Sequence, residues 1–153
     1  MTSCRPAARF LAATLLALAA GLACAAGPAP ATAAAPSADA KEHAIFAVSD
    51  DDTKKWNLTL GNIGNAIEGL GADSADIELV VYGPSIAMLK KDSPVADRIA
   101  EAQRKGVHVY ACQNSMRGYH LDQADLAPGV GVVPSGVVEL IRRQHAGYAY
   151  VRS

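Results

Sequence analysis

Between residues 42 and 152 the apolar positions switch repeatedly between two periods. Short β-branched runs give way to stretches in which apolar residues recur at helical spacing. "HAIFAVS" (43–49) predicts a first strand. Trp56, Leu60, Ile63, Ile67 and Leu70 then follow at intervals of four, three, four and three, which lays them along one face of a helix. Asp52 is suited to cap that helix and Gly71 to end it. "DIELVVYG" (76–83) predicts the second strand, stopped at Gly83-Pro84. After a short irregular piece, Ser93 caps a helix that carries Pro94 in its first turn and ends at Gly106. Its inward residues are Val95, Ile99 and Ala102. "VHVYAC" (107–112) and "GVGVV" (129–133) predict two more strands. A helix over 135–147, with Val137, Leu140 and Ile141 inward, leads to a last strand, "YAYVR" (148–152).

Strands that alternate with helices imply a three-layer α/β/α domain. Its sheet is mostly parallel, of about five strands, joined by right-handed crossovers. Periodicity does not give the strand order.

The first 41 residues break this pattern. Arg5 and Arg9 precede an apolar run, "FLAATLLALAAGLA", and the small-residue site "ACA" at Ala23 to Ala25. That order describes a secretory signal peptide over 1–25. The run is shorter than the roughly 20 residues of a membrane span. Cys24 allows a competing reading as a lipidated N-terminus, although Gly21 stands where such sites usually carry Leu. Residues 26–41 are rich in Ala and Pro and hold too little apolar surface to order themselves, so they predict a flexible linker. The α/β domain is then 42–153.

Charge narrows the partners. Loss of Arg5 and Arg9 with the leader takes the formal charge from −1 to −3. An acidic domain has no footprint for nucleic acid, and no basic amphipathic helix suggests a membrane surface. Of the three cysteines, Cys4 and Cys24 lie in the leader, which leaves Cys112 as the one thiol of the mature domain. A single cysteine in an oxidising compartment makes no internal disulfide. It is a reactive thiol, an intermolecular bridge, or a buried apolar residue.

In open α/β sheets, ligands bind beyond the carboxyl ends of the strands. That rule gathers Ser49 to Asp52, Tyr82 to Ser85, Cys112 to Ser115, and Pro134 to Gly136 on one rim. Cys112 ends its strand, so its sulfur is expected to reach solvent there. Free N–H groups after it, with Arg117 nearby, would lower the thiol pKa, while Asp51 across the crevice would oppose them. An inert, buried cysteine is equally open at this point.

Familiar thiol and phosphate chemistries fit poorly. No C-x-x-C is present. "CQNSMR" spaces Cys112 and Arg117 like a rhodanese loop but lacks the glycines, and a C-x5-R loop would need its arginine at Gly118. "SDDDT" misses the phosphoaspartate motif by one residue, and helix capping explains its aspartates better. The four histidines show no metal-binding spacing, and no nucleotide loop appears. The residues point to no cofactor and no metal.

"SDDDTKKWNLTLGNIGNAI", "VVYGPSIAML", "GVHVYACQNSMRG" and "PGVGVVPSGVVELIRRQHAGYAYVR", taken in order, resemble the DsrE/DsrF-like proteins. The resemblance covers about 43–152 and implies a compact α/β/α domain that forms homo- or hetero-oligomers. It also implies a rim cysteine that carries a persulfide between partner proteins, matched here by Cys112. The relay members work in the cytoplasm, whereas this chain carries a leader that implies a periplasmic or secreted protein. Two functions follow. One is a sulfur-carrier or thiol-exchange protein, with Cys112 as nucleophile, Arg117 and the N–H groups of 113–115 stabilising the anion, and Asn114 and Ser115 orienting the bound group. The other is a non-catalytic oligomeric module whose rim (Asp51, Gly83, Pro84, Ser135) binds a small molecule or protein beside an incidental cysteine.

Overall fold

The computed structural model describes residues 41–153, so the leader, its cleavage site, Cys24 and all but the last residue of the linker lie outside the described residues. The strands are β1 (Glu42–Val48), β2 (Ala75–Val81), β3 (His108–Cys112), β4 (Gly131–Val133) and β5 (Ala149–Arg152). The helices are α1 (Thr53–Leu70), α2 (Ala96–Arg104), α3 (Gln113–Gly118) and α4 (Gly136–His145). Short 3-10 segments cover Gly83–Leu89 and Gln123–Asp125. The five strands form one all-parallel sheet in the order β4-β3-β2-β1-β5. Helices on both faces complete the expected three-layer α/β/α arrangement.

Local chemistry explains most boundaries. Asp52 accepts a hydrogen bond from the Lys54 N–H at 2.8 Å and so caps α1. Trp56, Thr59, Leu60, Ile63 and Ile67 form its buried stripe. Gly71, at φ +88°, ends the helix with its N–H on the Ile67 carbonyl, 2.9 Å away. Leu70 departs from the expected face and is 42% exposed. α2 begins at Ala96, two residues later than the sequence suggests. Ser93 spends its hydroxyl on the Val95 N–H, two residues on, so Ser93-Pro94 make a turn ahead of the helix.

The larger correction concerns α4. Leu140 is buried, but Val137 and Ile141 are 51% and 49% exposed. The inward stripe is instead Gly136, Leu140 and Arg143, at helical intervals of four and three. Arg143 turns inward because Glu78, buried on β2, requires a cation: the guanidinium lies 2.8 Å from Glu78 Oε1. An apolar count could not anticipate a stripe made of a glycine, a leucine and an arginine.

The two faces are covered unequally. Phe46, Val48, Ile77, Leu79, Val81, Val109 and Ala111 point to one side, where α1, α2, the 3-10 segment and Met116 of α3 close over them. Ile45, Ala47 and Val80 point to the other, where Leu140 of α4 meets them beside Tyr82, Tyr110 and Tyr148.

Candidate functional site

The strand order decides where a site can form. The three connections from β1 to β4 step one way across the sheet, whereas the connection through α4 returns to β5 at the far edge. Right-handed crossovers then put α4 on the face opposite to the others. The chain leaving β3 enters α3 on one face, and the chain leaving β4 enters α4 on the other. The crevice between two such strand ends is the ligand position of an open α/β sheet. Cys112 and Val133, partners in register, are the last residues of those two strands.

Cys112 is a free thiol, and it is only 4% exposed. The sequence suggests a sulfur open to solvent. The difference arises because α3 starts at once after Cys112, at Gln113, and α4 begins just above it, so both first turns close over the side chain. Gly136 makes that closure possible. A Cβ at this position would stand 3.0 Å from Tyr82 Cβ, 3.2 Å from Val80 Cγ1 and 3.3 Å from Cys112 Cβ. Only the absence of a side chain lets the α4 backbone come so near.

The surroundings of the sulfur oppose one another. Burial favours the neutral thiol. Against it act the dipoles of the Ser115 hydroxyl and of the Gly136, Ser115 and Asn114 backbone N–H groups around it. The donors win, and the thiol pKa lies below its ordinary value. Ser115 is itself fixed in orientation. Its oxygen accepts the Gly83 N–H at 2.7 Å, which leaves the hydroxyl proton free to point at the sulfur. Gly83 presents that N–H from the left-handed region, at φ +64°. Ser85, fully buried, shares its one hydroxyl proton between the Val48 and Tyr82 carbonyls, at 2.7 and 2.6 Å, and braces the strand ends.

The remaining rim residues take other places. Arg117 is exposed and donates to Asn114 Oδ1, so it buttresses the turn around the sulfur rather than facing the sulfur itself. Asp51 is exposed. Its neighbour Asp50 pairs with Lys55 at 3.1 Å and Arg152 at 3.4 Å, which hold that carboxyl below its usual pKa. Pro84 is exposed and Ser135 half-buried at the α4 cap, where its carbonyl accepts the Glu139 N–H. The structure therefore brings Cys112, Asn114, Ser115 and Gly83 together and leaves Asp51 and Arg117 outside that group. Gly136 is the residue that sequence reasoning passed over in favour of Ser135. Its signal was a glycine in the first turn of a helix, where a side chain is ordinarily tolerated. Among the described residues, no group of three or more His, Cys, Asp or Glu side chains is arranged to hold a metal. None of the described helices is long and apolar enough to cross a membrane.

Residues 42–152 match the model of the DsrE/DsrF-like family. The chain belongs to that family. A solved protein of unknown function from Methanobacterium thermoautotrophicum is 34% identical to it, with a TM-score of 0.71, over 74% of this chain and 100% of the other. Two further structures share the fold at lower identity. A conserved protein of unknown function from Bacteroides thetaiotaomicron is 17% identical, with a TM-score of 0.61, over 73% of this chain and 95% of its own. The ychN protein of E. coli is 15% identical, with a TM-score of 0.59, over 74% and 99%. No curated protein matches the chain.

Proposed function

We propose that this DsrE/DsrF-like protein is an exported sulfur carrier in which Cys112 is the persulfide acceptor. What supports this most is the place of the sulfur: Cys112 ends β3 where the first turns of α3 and α4 meet, with the Ser115 hydroxyl and the Gly136 backbone beside it and the thiol pKa lowered. Backbone N–H and hydroxyl dipoles so placed stabilise an anion on sulfur. The Cys112 thiolate attacks the outer sulfur of a donor persulfide, R–S–SH. A new S–S bond forms as the donor's S–S bond breaks, R–S⁻ leaves, and Cys112–S–SH remains. A partner thiolate reverses these steps and takes the sulfur onward. No cofactor or metal takes part, and no outside oxidant is needed, because sulfane sulfur is exchanged between thiols. The donor and acceptor are proteins of the exported compartment, reached through the leader at 1–25, with lipidation at Cys24 as the variant form of export.

The test is direct. The mature domain is incubated with a low-molecular-weight persulfide and its intact mass recorded. A gain of one sulfur atom, reversed by reductant and lost in Cys112→Ser, is expected. A wild-type domain that gains no sulfur, even at high donor concentration, contradicts the reading. Intact mass of the secreted species tests export separately, since a protein that keeps residues 1–25 in the cytoplasm overturns it.

One observation favours a second reading, that of an oligomeric binding module with an incidental cysteine. Cys112 is 4% exposed, whereas Val137, Val138, Ile141 and Tyr150 on the α4 side are between 41% and 51% exposed. Apolar side chains gathered on one side suit a protein interface. Under either reading self-association is expected, and sedimentation showing only monomer at micromolar concentration counts against it.

A further inference from the structure

α4 covers its face of the sheet with few attachments. Its buried residues are Gly136 and Leu140, against five on α1. The two ends of the helix also do different things. Its first turn lies on Cys112, so close that a Cβ at Gly136 would stand 3.3 Å from Cys112 Cβ. Its last turns carry Arg143, which reaches Glu78 Oε1 and Glu139 Oε1, both at 2.8 Å, and lies 5.3 Å from the Tyr148 ring centroid.

Glu78 is an unusual residue for its place. It is 2% exposed, in the middle of the central strand, paired in register with Ile45 on one side and His108 on the other. Its Oε2 has no hydrogen-bond partner. A buried carboxylate held through one oxygen by one guanidinium is a strong but all-or-none attachment, since either partner left alone is poorly accommodated. Two apolar residues there would have bound the helix to the sheet permanently.

We propose that α4 is a latched cover over Cys112, and that the Arg143–Glu78 ion pair is its latch. With the pair made, the first turn of α4 stays on the sulfur, which is shut off from other molecules. With the pair broken, Leu140 and Gly136 alone seat the helix, and its first turn lifts between Ser135 and Gly147. The proposal explains how a thiol 4% exposed could meet a second sulfur atom. It rests on the carrier reading for its purpose but not for its test, which uses no sulfur donor.

The experiment follows alkylation of Cys112 by N-ethylmaleimide in the folded, full-length mature domain. Wild type is compared with Glu78→Gln and Arg143→Met. Ile67→Val, which trims the α1 face, is the control for general destabilisation, and thiolate absorbance corrects each rate for ionisation. Both latch variants are expected to raise the corrected native-state rate by about tenfold, the result of ~1.4 kcal/mol between shut and open forms. The control should leave it unchanged. Equal rates in all four proteins overturn the proposal, as does a rise in Ile67→Val equal to that in Glu78→Gln. Should a latch variant fail to fold, hydrogen exchange on wild type decides the matter. Amides of α4 are expected to exchange through smaller openings than those of α1, and equal protection of the two helices overturns the latch. Absence of persulfide formation with accelerated alkylation would remove the carrier reading and leave the latch standing.

Discussion

The two faces of the sheet are built on different principles. On the α1 side, 22 buried residues form one continuous apolar cluster under three helices and a 3-10 segment. On the α4 side the corresponding cluster has four, and tyrosines and ion pairs fill the rest. Near the strand amino ends, Asp76 accepts from the Tyr148 hydroxyl at 2.6 Å and lies 3.0 Å from His43 Nδ1. Burial and that carboxylate push Tyr148 up to about 12. Burial likewise raises Glu78, with Arg143 pulling the other way. The first face supplies stability; the second holds the ion pairs of the buried Glu78, and its helix also lies against the thiol. A protein that must keep its fold while exposing one sulfur gains from this division, because motion can be confined to the weaker face.

Core truncation should show the difference most strongly. Ile63, 1% exposed under α1, lies in the densest part of the core. Ile63→Ala is expected to cost about 4 kcal/mol, near the upper end for such a deletion. Leu140→Ala, on the thin face, should cost about 2 kcal/mol, because α4 can settle into the space. Chemical denaturation measures both, and equal losses would erase the contrast.

Gly136→Ala comes next. In an ordinary helix this change stabilises by up to about 1 kcal/mol. Here the new methyl group meets Tyr82, Val80 and Cys112 at 3.0 to 3.3 Å, so a net loss of about 1–2 kcal/mol is expected. The same variant should raise the thiol pKa as the α4 backbone withdraws from the sulfur. A more stable protein with an unchanged thiol would refute the close approach.

Ser115→Ala removes a hydroxyl that accepts from Gly83 and whose dipole favours the Cys112 thiolate. It should cost about 1 kcal/mol and raise the thiol pKa by an amount that thiolate absorbance can resolve. Arg117→Ala, which loses only its bond to Asn114, should move the thiol far less. The reverse ranking would mean that charge, not directed hydrogen bonding, holds the anion.

The smallest effect is on the pH dependence of stability. A thiol whose folded pKa is depressed binds fewer protons folded than unfolded, so the folded state gains as pH rises between the two values. The stability that Cys112 contributes is fully present above the ordinary thiol value of about 8.5 and is lost as pH falls through the lowered folded pKa. The difference in unfolding free energy between wild type and Cys112→Ser should therefore widen with pH in that window. A flat difference would mean an unperturbed thiol.

Where the sequence was legible, the cause was local chemistry. The stripe from Trp56 to Ile67, the Asp52 cap and the Gly71 stop needed nothing beyond neighbouring residues. The place of Cys112 at a strand end also followed from its own segment. What failed depended on distant partners. Arg143 faces inward only because Glu78 is buried beneath it, 65 positions away in the chain. The burial of Cys112 depends on Gly136, whose role is set by Tyr82 and Val80. The strand order lies wholly in such long-range pairings, and it is the reversal between β4 and β5 that makes a crevice of the β3 and β4 ends.

The most direct test of the account is the ionisation of Cys112 in the folded mature domain, read as thiolate absorbance against pH. Absorbance needs no reagent to reach the sulfur, so the closed α4 does not interfere. A single transition is predicted below the ordinary thiol value of about 8.5, moving upward in Ser115→Ala. A transition at or above that value, unmoved by loss of the Ser115 hydroxyl, would contradict the anion cradle and with it the carrier function.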